Sequence, residues 1–157
     1  MKIAVIGAGG VGGYFGGRLA RANFDVTFLA RGEHLREIQQ NGLRVKSVNG
    51  DFTIDSARAT DSIQKIGFAD IVILAIKAWQ VRDIFPELAS IVKKDTIVLP
   101  LQNGVLTAEE LAENIPSANI IGGLCKIISK VESPGVINHF ALDPVVIFGE
   151  LDSRGTI

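Results

Sequence analysis

The stretch IGAGGVGGYFGGRLA, residues 6–20, holds seven glycines at the point where a helix should begin. A glycine inside a helix costs about 1 kcal/mol relative to alanine, so a run this dense needs a compensating role. Only one register satisfies G-x-G-x-x-G: Gly7, Gly9 and Gly12. An apolar run, Lys2–Ile6, precedes it, and a helical pattern over Gly10–Ala22 follows. In that context each glycine has a physical reason. Gly7 permits the tight turn, Gly9 lets backbone approach a pyrophosphate with no Cβ in the way, and Gly12 lets helix and strand pack closely. The free N–H groups of the helix start, Gly10 among them, attract phosphates. The spacing therefore predicts a dinucleotide site. Gly13, Gly16 and Gly17 lie outside the fingerprint. Gly12 with Gly16, and Gly13 with Gly17, are four apart and stack along the helix. They form a smooth strip, expected to lie partly against a sheet. The rest is left open to the nicotinamide half of a cofactor or to a domain outside this chain.

The end of the second apolar run, Asp25–Ala30, tests which dinucleotide is bound. A site for NAD or FAD places Asp or Glu there to hold the ribose 2′-OH. This chain reads Thr27-Phe28-Leu29-Ala30-Arg31. An arginine stands where the acid is expected, and its planar fork of donors suits the 2′-phosphate of NADP. Glu33 is close by but falls in the first turn of a predicted helix, where a carboxylate is locally favoured. The expected cofactor is NADP.

Short runs rich in Val and Ile recur at Lys2–Ile6, Asp25–Ala30, Asp70–Ile76, Thr96–Leu101 and Asn119–Leu124. They barely alternate, as strands buried on both faces of a parallel sheet do. Helical patterns follow over Gly32–Gln40, with Gly42 as a stop, Trp79–Val92 and Thr107–Asn114; Thr107 to Glu110 fits a capping box. The alternation predicts an α/β fold, Rossmann-type and doubly wound, with a mostly parallel sheet. Leu43–Ser56 reads as a hairpin around Asn49-Gly50, a turn in which both central residues need positive φ. Lys126–Gly149, broken by Ser133-Pro134-Gly135 and Asp143-Pro144, reads as antiparallel strands added at the C-terminal edge. Residues 1–150 are thus expected to form one dinucleotide-binding domain, with 151–157 beginning a linker.

The 157 residues suit one domain with a real core. A formal net charge of −1 gives no bias towards nucleic acid. The apolar runs are too short to span a membrane, and no signal-peptide pattern is expected at the N-terminus. Cys125 is the only cysteine. It excludes a disulfide framework and a cysteine-rich metal site, and it fits a reducing cytoplasm. No metal is expected.

Ligands of open α/β sheets bind outside the carboxyl ends of the strands, so the residues that first interrupt each run matter. After IVILAI comes Lys77, and after TIVLPLQ come Asn103 and Gly104. Lys77 suits the phosphate or adenosine portion of a dinucleotide. Asn103 both donates and accepts, which suits the nicotinamide ribose or a substrate oxygen. Singly, a lysine at a helix start and an Asn-Gly turn are ordinary; their shared edge gives them weight. His34 and His139 lack a convincing partner and read as surface or structural residues. Cys125 reads as core. Trp79 reads as the apolar anchor of its helix, or as a flank for adenine.

Taken together, IGAGGVGGYFGGRLA, LARGEHL, ILAIKAWQV, LPLQNGV and VIFGELD resemble the ketopantoate reductase (2-dehydropantoate 2-reductase) family over essentially the whole chain. The resemblance implies a two-domain NADPH-dependent reductase of pantothenate biosynthesis, converting 2-dehydropantoate to pantoate. Its N-terminal Rossmann domain binds cofactor, and a C-terminal helical domain supplies much of the site for the small 2-oxo acid. It further implies that Gly7, Ala8, Gly9, Gly10, Val11 and Gly12 form the phosphate loop and that Arg31 binds the 2′-phosphate. Lys77 then belongs to the cofactor site, Asn103 contacts cofactor and substrate, and the backbone of Ile128 meets the nicotinamide end. The family's catalytic lysine lies in the helical domain, so no catalytic residue is expected in this chain, and neither Lys77 nor Lys130 takes that role. The chain alone is expected to bind NADP(H) with negligible turnover. A paralogous reductase of another small 2-oxo acid and a non-catalytic NADP-sensing module stay open, as does a homodimer of the intact protein.

Overall fold

The computed structural model describes residues 1–104 and 106–151. Along the chain lie β1 (Lys2–Ile6), α1 (Gly10–Arg21), β2 (Asp25–Leu29), α2 (Gly32–Asn41), β3 (Leu43–Ser47), β4 (Phe52–Ile54) and β5 (Arg58–Thr60). Then come α3 (Ile63–Ile66), β6 (Ile71–Leu74), α4 (Phe85–Ala89), β7 (Ile97–Pro100), α5 (Thr107–Ala112), β8 (Ile121–Ser133) and β9 (Val136–Glu150).

Five strands form a wholly parallel sheet in the order β5-β2-β1-β6-β7. Its inner strands are largely apolar because both faces are buried. Ala4 and Ile6 of β1 face one core with Val72 and Leu74 of β6, while Ile3, Val5 and Ile73 face the other. From β1 the chain first builds outward through β2, then returns to add β6 on the opposite side. The carboxyl ends of β1 and β6 therefore flank the switch point, where an open α/β sheet forms its crevice.

The remaining strands form a second sheet, β4-β3-β9-β8. The hairpin expected over Leu43–Ser56 is present as β3 and β4, with Val45 opposite Phe52. Its turn differs from the expected one. Among the described residues Gly50 has φ +98°, but Asn49 is not in the positive-φ region. The Gly50 N–H donates to the Ser47 carbonyl at 2.9 Å, so Val48 and Asn49 are the central residues and Gly50 follows them. The C-terminal antiparallel strands are also present, as β8 and β9. They start beside β7, where Ile120 bridges Val98, but their ladder continues into β3 rather than lengthening the first sheet.

This second sheet explains the glycine strip. A Cβ on Gly12 would lie 3.0 Å from Val5, and one on Gly16 would lie 2.9 Å from Val5 and 2.5 Å from Phe28, all in the parallel sheet. One on Gly13 would lie 2.6 Å from Ile137 of β9, and one on Gly17 would lie 3.3 Å from Val45 and Phe52. Helix α1 is held between two sheets and needs bare backbone on both flanks. The expectation that part of the strip awaits the nicotinamide or an absent domain is corrected: these positions are filled by the chain's own second sheet.

Three further local expectations give way. The run Asn119–Leu124 does not join the parallel sheet. Asn119 is buried, and its amide donates to the carbonyls of Lys93, Lys94 and Thr96, while Ile121 opens β8. The fifth parallel strand is instead β5, three residues of mixed polarity on the edge. The single helix expected over Trp79–Val92 is two 3-10 turns, Ala78–Gln80 and Arg82–Ile84, followed by α4. Pro86 sits in the first turn of α4, where its missing N–H costs nothing; further inside a helix it would break it. The capping box at Thr107 does not form, because Leu106 is the cap residue and the Glu110 carboxylate is taken by Arg82 at 3.0 Å. Gly42 does end α2, at φ +80°, with its N–H on the Ile38 carbonyl at 3.0 Å. Of the expected linker start at 151–157, only Leu151 falls within the described residues.

Candidate functional site

The strand ends converge at the crevice between β1 and β6. Gly7 follows β1 at φ +105°, and a Cβ there would lie 2.8 Å from Ile76 and 3.0 Å from the Ala75 carbonyl. A left-handed conformation pressed against neighbouring backbone is a position for glycine alone. Gly9 caps α1 with no side-chain cap bond and no acid in the first turn. A Cβ on Gly9 would have no atom within 4 Å, so this backbone faces open space at the positive end of a helix. Gly10 abuts β8, with a Cβ there only 2.5 Å from the Ser129 carbonyl. Gly12 sits against the Gly7 carbonyl, 1.9 Å from where a Cβ would stand.

Two cavities meet at this loop, sharing Gly9 and Ile76. The first, about 220 Å³, lies on the β2 side and is lined by Gly7, Ala8, Ala30, Arg31 and His34, with Gln80 and Asp83 among the residues across from them. The second, about 440 Å³, lies on the β7 side and is lined by Gly10, Val11, Lys77, Gln102, Asn103 and Ser129, among others. The residues singled out in the sequence thus fall on two lobes of one crevice. Ala8 and Arg31 are in the first lobe, and Val11, Lys77 and Asn103 in the second. Ile128 is the exception: its side chain lies on the outer face of β8, exposed, while Ile127 and Ser129 line the second lobe.

Arg31 is exposed and stands at the cap position of α2, and its guanidinium makes no hydrogen bond or ion pair among the described residues. A free cation at the start of a ten-residue helix is a favourable place for an anion. Glu33 is in the first turn of α2, as expected. Asp83 and Gln80 supply acceptors on the facing wall, which suit a hydroxyl or an amine. In the second lobe, the Lys77 N–H is held by the Gln80 side-chain oxygen at 3.1 Å, leaving its exposed ammonium at the rim.

Several residues gain roles that sequence reasoning missed. His34 Nε2 donates to the Ala8 carbonyl at 2.7 Å, and its Nδ1 accepts the Gly135 N–H at 3.0 Å. A neutral ring with its proton on Nε2 meets both bonds, and it ties the glycine loop to the β8–β9 turn. No sequence signal marks this, because both partners are backbone. His34→Ala leaves two polar groups unpaired; we expect a stability loss of about 1–3 kcal/mol in denaturant titration, with weaker dinucleotide binding. His139 is buried and structural: Nδ1 accepts from the Ser47 hydroxyl at 2.8 Å, and Nε2 donates to the Leu142 carbonyl at 2.7 Å. Trp79 is not the anchor of its segment. It is 76% exposed at the rim of the second lobe, and Val81, Ile84, Phe85 and Leu88 anchor that segment. Cys125 is half-buried beside the same lobe, with its Sγ 3.5 Å from the Leu101 carbonyl. Burial pushes its thiol pKa up, the direction that disfavours the reactive thiolate. Gln102, which lines the second lobe, is the first polar residue to interrupt its apolar run.

Among the described residues no cluster of His, Cys, Asp or Glu could hold a metal ion, and no helix is long and apolar enough to cross a membrane.

The family model "Ketopantoate reductase PanE/ApbA" matches residues 3–153. A 2-dehydropantoate 2-reductase of Nostoc sp. is 41% identical over 138 residues, covering 88% of this chain and 43% of that protein. The crystal structure of 2-dehydropantoate 2-reductase from Geobacter metallireducens superposes with a TM-score of 0.93 at 35% identity, over 99% of this chain and 51% of that one. A ternary structure of D-mandelate dehydrogenase with NADH and anilino(oxo)acetate superposes with a TM-score of 0.86 at 29% identity, over 96% of this chain and 49% of that one. The chain spans about half the length of these relatives. The glycine-loop crevice, the two-sheet clasp around α1 and the match over residues 3–153 agree: the chain belongs to the ketopantoate reductase PanE/ApbA family.

Proposed function

We propose that this chain is the cofactor-binding part of an NADP-dependent reductase that converts 2-dehydropantoate to pantoate. One observation carries it: two cavities meet at Gly9, with a free arginine in the outer one and Asn103 in the inner one. That is the layout of a dinucleotide laid across the switch point. The fit is supported locally. Gly9 has open space where any other residue would place a Cβ, and Arg31 is an unpaired cation where an NAD site carries an acid.

Each group then has a task. The N–H groups of the α1 start bind the pyrophosphate. Arg31 and the start of α2 bind the 2′-phosphate. Lys77 adds charge at the rim, and Asn103 orients the nicotinamide ribose and a substrate oxygen. Gly7 and Gly12 fix the loop. When bound, the reduced nicotinamide supplies a hydride to the keto carbon of the substrate. The general acid that protonates the new alkoxide comes from outside residues 1–150, as the family resemblance implies, and the same source completes the substrate site.

Titration with NADPH and NADH tests this reading. NADPH is expected to bind at least tenfold more tightly. Arg31→Ala removes a charge-assisted contact of about 1.5–3 kcal/mol, a loss of roughly ten- to hundredfold for NADPH with NADH unchanged. The same preparation should turn over 2-dehydropantoate negligibly. A second reading has its own support: Asp83 in the outer lobe is an acceptor for a ribose hydroxyl, and D-mandelate dehydrogenase with NADH shares the fold. An NADH preference untouched by Arg31→Ala would favour a paralogous reductase of another 2-oxo acid and overturn the NADP assignment.

A further inference from the structure

The chain carries three Asn-Gly pairs: Asn41-Gly42, Asn49-Gly50 and Asn103-Gly104. Glycine has no Cβ to shield its backbone nitrogen. That nitrogen can attack the side-chain carbon of the asparagine before it and close a cyclic imide. Two of the pairs share the same local sequence, Gln40-Asn41-Gly42 and Gln102-Asn103-Gly104. A difference in reactivity between those two has to come from the fold.

The fold holds two pairs and leaves the third untied. Asn41 ends α2, its amide donates to the Glu37 carboxylate at 2.7 Å, and the buried Gly42 N–H donates to the Ile38 carbonyl at 3.0 Å. Asn49 lies in the β3–β4 turn. There the Gly50 N–H donates to the Ser47 carbonyl at 2.9 Å, and the Asn49 N–H donates to the Ser47 hydroxyl oxygen at 3.0 Å. Both glycine nitrogens thus keep their protons in hydrogen bonds, and imide closure needs that proton gone. Asn103 and Gly104 are exposed, and neither the Asn103 amide nor the Gly104 N–H has a hydrogen-bond partner among the described residues. Gly104 stands at φ +120° with no atom within 4 Å of a Cβ position. Besides bordering the inner lobe, the pair lines a neighbouring cavity of about 440 Å³ with Trp79 and Arg82. The ring has room to form and water has access to it.

We propose that Asn103-Gly104 is a self-modification site, at which the chain deamidates ahead of its other Asn-Gly pairs. The Gly104 nitrogen loses its proton and bonds to Asn103 Cγ. The Cγ–Nδ2 bond breaks, and ammonia leaves with that proton. Water then opens the imide at Cγ, giving aspartate, or at the main-chain carbonyl, giving isoaspartate. One water is consumed and one ammonia released, with no change of oxidation state. Either product puts a carboxylate where an amide donor stood. Resting on the proposed cofactor reading, in which Asn103 contacts NADPH, bound cofactor shields the pair.

Incubation of the chain at mildly alkaline pH, with and without NADPH, tests this. Trypsin places the three pairs on different peptides, and mass spectrometry measures the fraction of each in which the amide has been replaced. Asn103 should convert at least about tenfold faster than Asn41 or Asn49, a factor equivalent to about 1.4 kcal/mol for the hydrogen bonds those two must first open. In urea Asn41 and Asn103, with the same neighbours, should convert at equal rates. Equal rates at Asn41 and Asn103 in the folded chain, or conversion of Asn49 ahead of Asn103, would overturn the proposal. So would a lead for Asn103 that persisted unchanged in urea, because the fold would then not select the site. NADPH should slow Asn103 and leave Asn41 and Asn49 unchanged. If calorimetry shows NADPH bound and Asn103 still converts first and unslowed, the modification site is upheld and the contact between Asn103 and cofactor falls. If NADPH does not bind, the cofactor reading falls, and the lead of Asn103 alone upholds the site.

Discussion

Gly12→Ala is expected to destabilise the chain by about 3 kcal/mol, lowering its melting temperature by roughly 6–12 °C. The added methyl would stand 1.9 Å from the Gly7 carbonyl oxygen, 2.9 Å from Ala75 Cβ and 3.0 Å from Val5 Cγ1. None of these is the free end of a flexible side chain. The Gly7 carbonyl belongs to a loop already fixed by φ +105° and by its contact with Ala75, and Val5 is in the buried middle of β1. Alanine's helix preference returns only about 1 kcal/mol, less than the clash costs. Gly17→Ala is the control: its nearest contacts are side chains at 3.3 Å, which can give. It should change stability by less than about 1 kcal/mol, the range in which propensity and tight contact offset each other. Differential scanning calorimetry of the two variants checks the pair. Equal melting temperatures for Gly12→Ala and the unmodified chain would show that the loop yields freely.

Gly9→Val is expected to behave in the opposite way. Nothing lies within 4 Å of its Cβ position, and its backbone, at φ −74°, is open to any residue. The melting temperature should hold within a degree or two. NADPH affinity should fall by roughly a hundredfold, because about 2–3 kcal/mol of overpacking falls on the pyrophosphate instead of the protein. Gly9→Ala should give an intermediate loss. A variant that binds NADPH normally would remove Gly9 from the ligand path and with it the meeting point of the two lobes. The two glycines thus separate the fingerprint into a residue that serves folding and one that serves the ligand.

Much of this architecture was legible in the chain. Strands β1, β2, β6 and β7 were readable because burial on both faces leaves them rich in Val, Ile, Leu and Phe, with Thr27 of β2 the one polar residue inside them. The glycine register and Arg31 were readable because each answers a steric or electrostatic demand at a strand end. What escaped did so for identifiable reasons. Strand β5 is short and lies on an edge, so its Arg58-Ala59-Thr60 carries no apolar run. The partners of Gly13 and Gly17 were invisible because they lie on other strands, Ile137 of β9 for Gly13 and Val45 and Phe52 of β3 and β4 for Gly17, and a glycine says only that something comes close. His34 acts on backbone carbonyl and N–H groups, which have no sequence. Gln102 was within reach: it interrupts the run one residue before Asn103, and counting it as polar would have placed it at the site.

The parallel pairing of β3 with β9 sets an order of assembly. Ser47 meets His139 across 92 residues. At ordinary translation rates of about 5–20 residues per second, β3 waits for roughly 5–18 s before its neighbour has been synthesised. By then every strand of the five-stranded sheet has been synthesised and Gly17 has Val45 and Phe52 at hand, whereas Gly13 still lacks Ile137 of β9. The nascent chain thus passes through a stage with its nucleotide crevice half built and one apolar flank only partly covered. Closing that flank waits for the last strand, so a messenger truncated before codon 136 would release a product prone to aggregate.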